Sequence, residues 1–313
     1  MMRTRPYAQY IVKCAGAALM FGCVIWLAML IRAAPDIGSR NTEVLVDLRN
    51  ARAIFSDNVS IAKVALLESG EAESAAEALI PILGRDSRIE WQRVDALSVR
   101  NGILKDFDVL VVPGGSGRLK AEDLGDNGRI MIRDFVHNGG GYVGICGGAF
   151  LATSGYEWSL GLVKATTLTG MIECGQEGKR SQAARGSGVV SLEFSGLAEG
   201  VFSESLSQVS MQYSSGPIFC SVIRSDLPAY VVLARFRTEV FECESQRGTM
   251  VNTSAIIASK FGKGTVLLFS PHPEMSPQFE HILIEAITGC ASRRVEKSGA
   301  DDIQAAKRER LLQ

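Results

Sequence analysis

The stretch Gly139-Gly140-Gly141-Tyr142-Val143-Gly144-Ile145-Cys146-Gly147-Gly148-Ala149-Phe150-Leu151 constrains this chain more than any other. Tyr142, Val143 and Ile145 form a short apolar, partly β-branched run that reads as a buried strand. Gly144 and Gly148 stand two residues either side of Cys146. That spacing is the cysteine form of the nucleophile elbow, G-x-S-x-G. A nucleophile on so sharp a strand-to-helix turn needs neighbours without side chains. The turn places the thiol at a helix start, where free N–H groups and the dipole favour a thiolate. The Gly147 N–H then faces a developing oxyanion. Taken alone, the motif also fits a buried cysteine in a glycine-rich turn, so the rest of the chain has to decide.

A cysteine nucleophile needs a base, and the base needs an orienting group. The late apolar run Thr265-Val266-Leu267-Leu268-Phe269 reads as a second buried strand and ends in Pro271-His272-Pro273-Glu274. In a parallel sheet the strand C-termini gather along one edge, so His272 and Cys146 are expected there together. The two prolines bias His272 towards an extended backbone. Residues two apart then share a face, which puts Glu274 beside His272. The expected relay is Cys146, His272 and Glu274, in the logic of a triad. Each residue has a plainer reading, His272 as a loop residue and Glu274 as a first-turn charge. Their coincidence with the elbow favours the triad.

The remaining pattern is α/β. Ile61–Leu67, Ile89–Val94 and Asp108–Val112 read as strands, Glu71–Leu83 and Asn127–His137 as helices. Strands alternating with helices imply a parallel sheet covered on both faces. After the elbow, Leu162–Leu168, Gly188–Phe194, Val209–Tyr213 and Tyr230–Phe236 read as strands joined by loops, an antiparallel or mixed extension. Ala255–Ser259 and Gly264–Ser270 form a hairpin, and Pro277–Ile287 a closing helix. Glu43–Leu48 is a candidate short strand within a connector.

The 313 residues are 46% hydrophobic with a net charge of −1, enough for one large α/β domain and no footprint for nucleic acid. Three histidines and seven cysteines show no zinc spacing, so no metal is expected. Cys14 to Ile31 runs without a charge, close to the roughly 20 residues a membrane-spanning helix needs. Arg3, Arg5 and Lys13 precede it. An uncleaved anchor is favoured over a cleaved signal peptide, because Arg32 and Pro35 disfavour a cut after Ala34. The basic tail points to a cytoplasmic N-terminus with the catalytic domain on the opposite side of the membrane; secretion after cleavage is the alternative. The expected organisation is a tail at 1–13, an anchor at 14–32, a linker at 33–58, a catalytic domain at 59–290 and a charged tail at 291–313. His137 reads as a helix C-terminal cation and His281 as structural. Cys174, Cys220, Cys243 and Cys290 are either reduced or joined in two disulfides, with three pairings open. Asn58-Val59-Ser60 and Asn252-Thr253-Ser254 are glycosylation sequons, meaningful in a secretory pathway.

The elbow together with His272-Pro273-Glu274 resembles the class I glutamine amidotransferase-like superfamily. Within it the chain most resembles the biotin–protein ligase N-terminal domain family. The resemblance runs over roughly residues 60–290, through Val111-Val112-Pro113-Gly114-Gly115, the elbow stretch, and Gly262-Lys263-Gly264 leading to Ser270-Pro271-His272-Pro273-Glu274. It implies a flavodoxin-like, doubly wound, mostly parallel sheet, with Cys146 as nucleophile and His272 and Glu274 as partners. It implies a second oxyanion-hole N–H at Gly115, beside that of Gly147, and substrate contacts at Gly114 and Tyr213, with the Gly216-Pro217 turn at the pocket. No cofactor is expected. Two features depart from glutamine-using relatives: Phe150 stands where they carry glutamine, and no synthetase domain is recognised to receive ammonia. No match to a biotin ligase catalytic domain is present. The expectation is a membrane-anchored cysteine hydrolase acting on a small-molecule or peptide amide or related acyl bond. A non-catalytic binding module and a redox-active thiol protein of the same fold are the alternatives.

Overall fold

The computed structural model describes Phe55 and residues 61–70, 73–168, 171–174, 179–182, 186–204 and 206–291. The tail at 1–13, the anchor at 14–32, the candidate strand Glu43–Leu48, the linker apart from Phe55, and the C-terminal tail beyond Ala291 lie outside the described residues. Among the described residues no helix is long and apolar enough to cross a membrane.

The chain begins with strand β1 (Ala62–Leu67), helix α1 (Glu73–Arg85), β2 (Ile89–Val94), a short helix α2 (Ala96–Arg100) and β3 (Val109–Val112). Helix α3 (Gly117–His137), β4 (Gly141–Ile145) and helix α4 (Gly147–Ala152) follow. Then come β5 (Ala165–Thr167), β6 (Met171–Cys174), β7 (Lys179–Gln182), β8 (Ser187–Phe194), β9 (Gln208–Ser214) and β10 (Phe219–Ser221). The last elements are β11 (Tyr230–Phe236), β12 (Ser254–Phe261), β13 (Gly264–Phe269) and helix α5 (Glu280–Cys290).

The main sheet runs β2-β1-β3-β4-β13-β12-β11-β8-β9, with β10 pairing β12 and β5. Its first five strands are parallel, in the order of a flavodoxin-like sheet. From β12 onward the pairings are antiparallel, and β6 and β7 form a separate hairpin. Strands β3, β4 and β13 are buried along their whole length, as continuous apolar runs at the centre of a covered sheet should be. Side chains alternate between two cores. Val64, Leu66, Val111, Val143, Ile145, Leu267 and Phe269 pack with Leu79 of α1 and Ile284 of α5 on one face. Ala65, Leu67, Leu110, Val112, Tyr142 and Leu268 pack with Ile132 and Phe135 of α3 on the other.

The structure departs from the sequence reading in identifiable places. Helix α3 starts at Gly117, ten residues before the expected Asn127. It is broken at Gly125 (φ 60°, ψ −176°), a kink between two helical arms, of which only the second falls within the expected helix. The expected strand Leu162–Leu168 shrinks to three residues in β5. Helix α2, the β6–β7 hairpin and β10 were not anticipated. All are short, and tertiary packing rather than local periodicity holds them.

Candidate active site

Three adjacent strands, β3, β4 and β13, end level with one another. Val112 pairs with Gly144, and Phe269 with Ile145. Each strand therefore releases its next residues onto the same edge: Gly114 and Gly115 after β3, Cys146 after β4, His272 after β13. The Cys146 N–H donates to Phe269 O at 2.8 Å, and the Phe150 N–H donates to Cys146 O at 2.9 Å, which locks the turn to both strand and helix.

Cys146 has φ 47° and ψ −103° and is 7% exposed. A β-carbon at positive φ is strained, and such strain persists only where surrounding structure enforces it. Here the enforcement is close backbone contact. A methyl group built on Gly147 would lie 1.9 Å from Gly115 O, and one on Gly148 2.1 Å from Val112 O. Tyr142, fully buried in β4, donates its hydroxyl to Gly148 O at 2.7 Å and ties the helix start to the strand. The Gly115 and Gly147 N–H groups donate no hydrogen bond among the described residues. Both remain available at the elbow.

His272 Nδ1 lies 2.7 Å from Glu274 Oε1, with both side chains buried. The carboxylate accepts from Nδ1–H, which leaves Nε2 as the nitrogen not tied to Glu274. The backbone reaches this pairing by a different route from the extended segment expected: Pro273–Met275 is a turn of 3₁₀ helix. Strand β9 holds His272 in place. The His272 N–H donates to Gln212 O at 2.7 Å, the Gln212 N–H donates to Ser276 Oγ at 3.0 Å, and that hydroxyl donates to His272 O at 3.1 Å. His272 Nε2 and Glu274 Oε2 are buried without hydrogen-bond partners. Burial alone would depress the His272 pKa; interactions with Cys146 and Glu274 outweigh it and push it up to about 10. A methyl group on Gly114 would stand 3.2 Å from His272 Cε1 and 3.7 Å from Cys146 Cβ, so imidazole and thiol flank the same glycine. The Cys146 thiol itself is directed at Ser214 O, 3.4 Å away.

Tyr213 is 1% exposed, and its hydroxyl donates to Gly216 O at 2.8 Å. Its place is therefore behind the Ser214–Gly216 turn that carries the thiol's carbonyl acceptor, and Ser215 in that turn has φ 50°. Sequence reasoning missed two neighbours of the site. Lys120, fully buried in the first arm of α3, donates from Nζ to Gly114 O at 2.6 Å. The expected helix begins at Asn127 and so leaves out that arm, and the lysine with it. Phe150, Tyr156 and Trp158 form a partly exposed aromatic group, with Tyr156 and Trp158 stacked at 4.5 Å. It abuts Gly117, which lies against Gly147 O. Away from the site, His137 meets the Phe261 ring edge-on and His281 faces Glu204 at 3.4 Å. Cys220 and Cys290 are free thiols and Cys243 is disulfide-bonded, so the four leftover cysteines do not form two disulfides among themselves.

A family model described as "Biotin-protein ligase, N terminal" matches residues 104–311. No curated protein matches the chain in sequence. Among solved structures, a cytoplasmic protein from Salmonella typhimurium LT2 is 18% identical, with 73% of this chain and 97% of that one covered and a TM-score of 0.43. A glutamine amidotransferase from Thermotoga maritima is 15% identical over 80% of this chain and 86% of that one, TM-score 0.45. A ThuA-like protein from Bacteroides uniformis is 13% identical over 76% and 95%, TM-score 0.49.

Proposed function

The chain belongs to the biotin-protein ligase N-terminal family, and from that premise and the geometry of the strand ends we propose that it is a cysteine hydrolase of an amide or related acyl bond. The observation that carries the reading is the convergence of a strained Cys146, the buried His272–Glu274 pair and two unspent backbone N–H groups at the level ends of β3, β4 and β13.

In this reading the Cys146 thiol yields its proton to His272 Nε2, and the thiolate attacks the acyl carbon. Glu274 holds Nδ1–H and offsets the imidazolium charge. The Gly115 and Gly147 N–H groups take the oxyanion. His272 returns the proton to the leaving amine, and water activated by the same imidazole hydrolyses the acyl-thioester. Residues 14–32 anchor the enzyme in a membrane, with residues 1–13 cytoplasmic and the catalytic domain across the bilayer. The substrate is a small-molecule or peptide amide, and Phe150 in the elbow helix sets it apart from glutamine.

A non-catalytic binding module is favoured by one observation, the thiol directed at Ser214 O. A direct test separates the two. The full chain is incubated with a panel of primary amides and dipeptide amides, and amine release is followed for wild type, Cys146→Ala and His272→Ala. Release that disappears in both variants supports the hydrolase. Release that persists in Cys146→Ala, or no release from any member of the panel, moves the assignment to the binding module.

A further inference from the structure

Lys120 has no part in the chemistry just described, yet it is fully buried beside it. An ammonium taken out of water costs several kcal/mol unless hydrogen bonds and opposite charge offset the loss. Among the described residues its Nζ donates to Gly114 O and to nothing else. Burial pulls its pKa down to about 8, and the charge of Cys146 works against that fall. Lys120 thus lies within electrostatic reach of the nucleophile and stays largely protonated at neutral pH.

The partner it has chosen carries the inference. Gly114 O and the Gly115 N–H belong to one planar trans peptide unit, in which C=O and N–H point in opposite directions. An ammonium that grips the oxygen fixes the direction of the N–H. Gly115 has φ 93°, so with no β-carbon to restrict it this peptide would otherwise be free to turn. The rest of the loop is set by Ser116, whose hydroxyl accepts from the Leu119 N–H at 3.2 Å, and by the Lys120 N–H, which donates to Ser116 O at 3.1 Å. Those bonds hold the start of α3 but leave the Gly114–Gly115 unit to the lysine.

We propose that Lys120 is a positioning residue: by holding the Gly114 carbonyl from the buried side, it aims the Gly115 N–H at the oxyanion formed when Cys146 attacks an acyl group. This rests on the cysteine-hydrolase reading. Lys120 touches no reacting atom and acts through the peptide plane.

Two probes of Cys146 tell this role from a structural one. With p-nitrophenyl acetate, the thiolate forms a bond to the acetyl carbon and the carbonyl electron pair moves to oxygen. It returns as p-nitrophenolate leaves, so the step passes through an oxyanion. With iodoacetamide, the thiolate displaces iodide in one step and no oxyanion forms. Both rates are measured on the full chain by mass spectrometry at Cys146. Lys120→Met is expected to lower the acylation-to-alkylation ratio by about tenfold or more, less than the roughly 10²- to 10³-fold for outright loss of one oxyanion donor because the Gly115 N–H is misaimed and not removed. Lys120→Gln keeps a neutral, shorter donor for Gly114 O, and its ratio falls between the two. Equal loss of both rates in Lys120→Met, or no loss of either, overturns the proposal. So does a wild-type ratio in Lys120→Gln, which decides the matter even where Lys120→Met does not fold. If wild-type alkylation is indifferent to His272→Ala, the hydrolase reading itself fails, and that result is seen without any Lys120 variant.

Discussion

Strand β4 has a cysteine at each end, and each cysteine has a buried or half-buried lysine near it. At the C-terminal end stand Cys146 and Lys120; at the N-terminal end Gly141 packs against Cys290, with Lys260 nearby. The residue types match, but the surroundings do not. Cys290 is the last residue of helix α5 and has no exposed surface, and burial pushes its thiol up to about 12 despite the opposing charge of Lys260. Lys260 donates to Thr265 Oγ1 at 2.9 Å, and burial lowers its pKa while Cys290 opposes the fall. Cys146, nearly as buried at 7% exposed, instead sits on a strained turn with a histidine–carboxylate pair and two unspent N–H groups around it. A lysine near a thiol does not make a nucleophile. What differs is backbone: at its C-terminal end β4 turns sharply into the start of α4, whose first N–H is free among the described residues, whereas its N-terminal end packs against the carbonyl end of α5.

The largest expected contrast is in reactivity. Under native conditions iodoacetamide should modify Cys146 at least about 10³-fold faster than Cys290, since burial raises the Cys290 thiol from 9.0 to about 12 and costs it that much thiolate. Peptide mass spectrometry over a time course reads both sites, and rates within tenfold of each other would erase the distinction.

The pH dependence of stability separates the two ends by window. The His272 pKa is raised from 6.5 to about 10, so its contribution is full below pH 6.5 and is lost as pH rises through 10. The gap between wild type and His272→Gln should therefore be widest near pH 6, on the order of a few kcal/mol, and close by pH 10. Cys290, raised from 9.0 to about 12, loses its contribution only above pH 9. Lys120, lowered from 10.5 to about 8, slopes the other way, which is why each wild-type-minus-variant difference is read rather than the wild-type curve alone. Denaturant melts at half-unit pH steps give the curves; a His272→Gln gap that widens with pH would contradict the charged, paired imidazole.

Removing the His272 imidazole sharpens the comparison further. His272→Ala should slow alkylation of Cys146 at pH 7 by roughly 10- to 100-fold and leave Cys290 alone. The smallest effects belong to the glycines. A methyl group on Gly141 would meet Cys290 O at 2.5 Å, and one on Gly147 would meet Gly115 O at 1.9 Å. Gly141→Ala and Gly147→Ala should each cost about 1–3 kcal/mol by overpacking, measured by chemical denaturation. Only Gly147→Ala should also slow Cys146; equal slowing by both would mean the elbow has no special backbone requirement.

Much of this could be read from the chain itself. Continuous apolar runs mark β3, β4 and β13 as central strands, because only a strand covered on both faces keeps every side chain dry. The glycines around Cys146 mark the elbow, because the turn leaves no room for side chains. A histidine and a glutamate after another such run place the second half of the site, since parallel strands end on one edge. Other features needed the folded molecule. Glu274 reaches His272 through a 3₁₀ turn, and β9, distant in sequence, clamps that turn with Gln212. The lysine behind Gly114 sits on a helical arm that lies outside the expected helix, because that helix starts at Asn127 and Gly125 kinks the chain just before it. Local periodicity reports which face of an element is buried. Which buried charge meets which carbonyl depends on contacts between segments far apart in sequence, and only tertiary packing sets those.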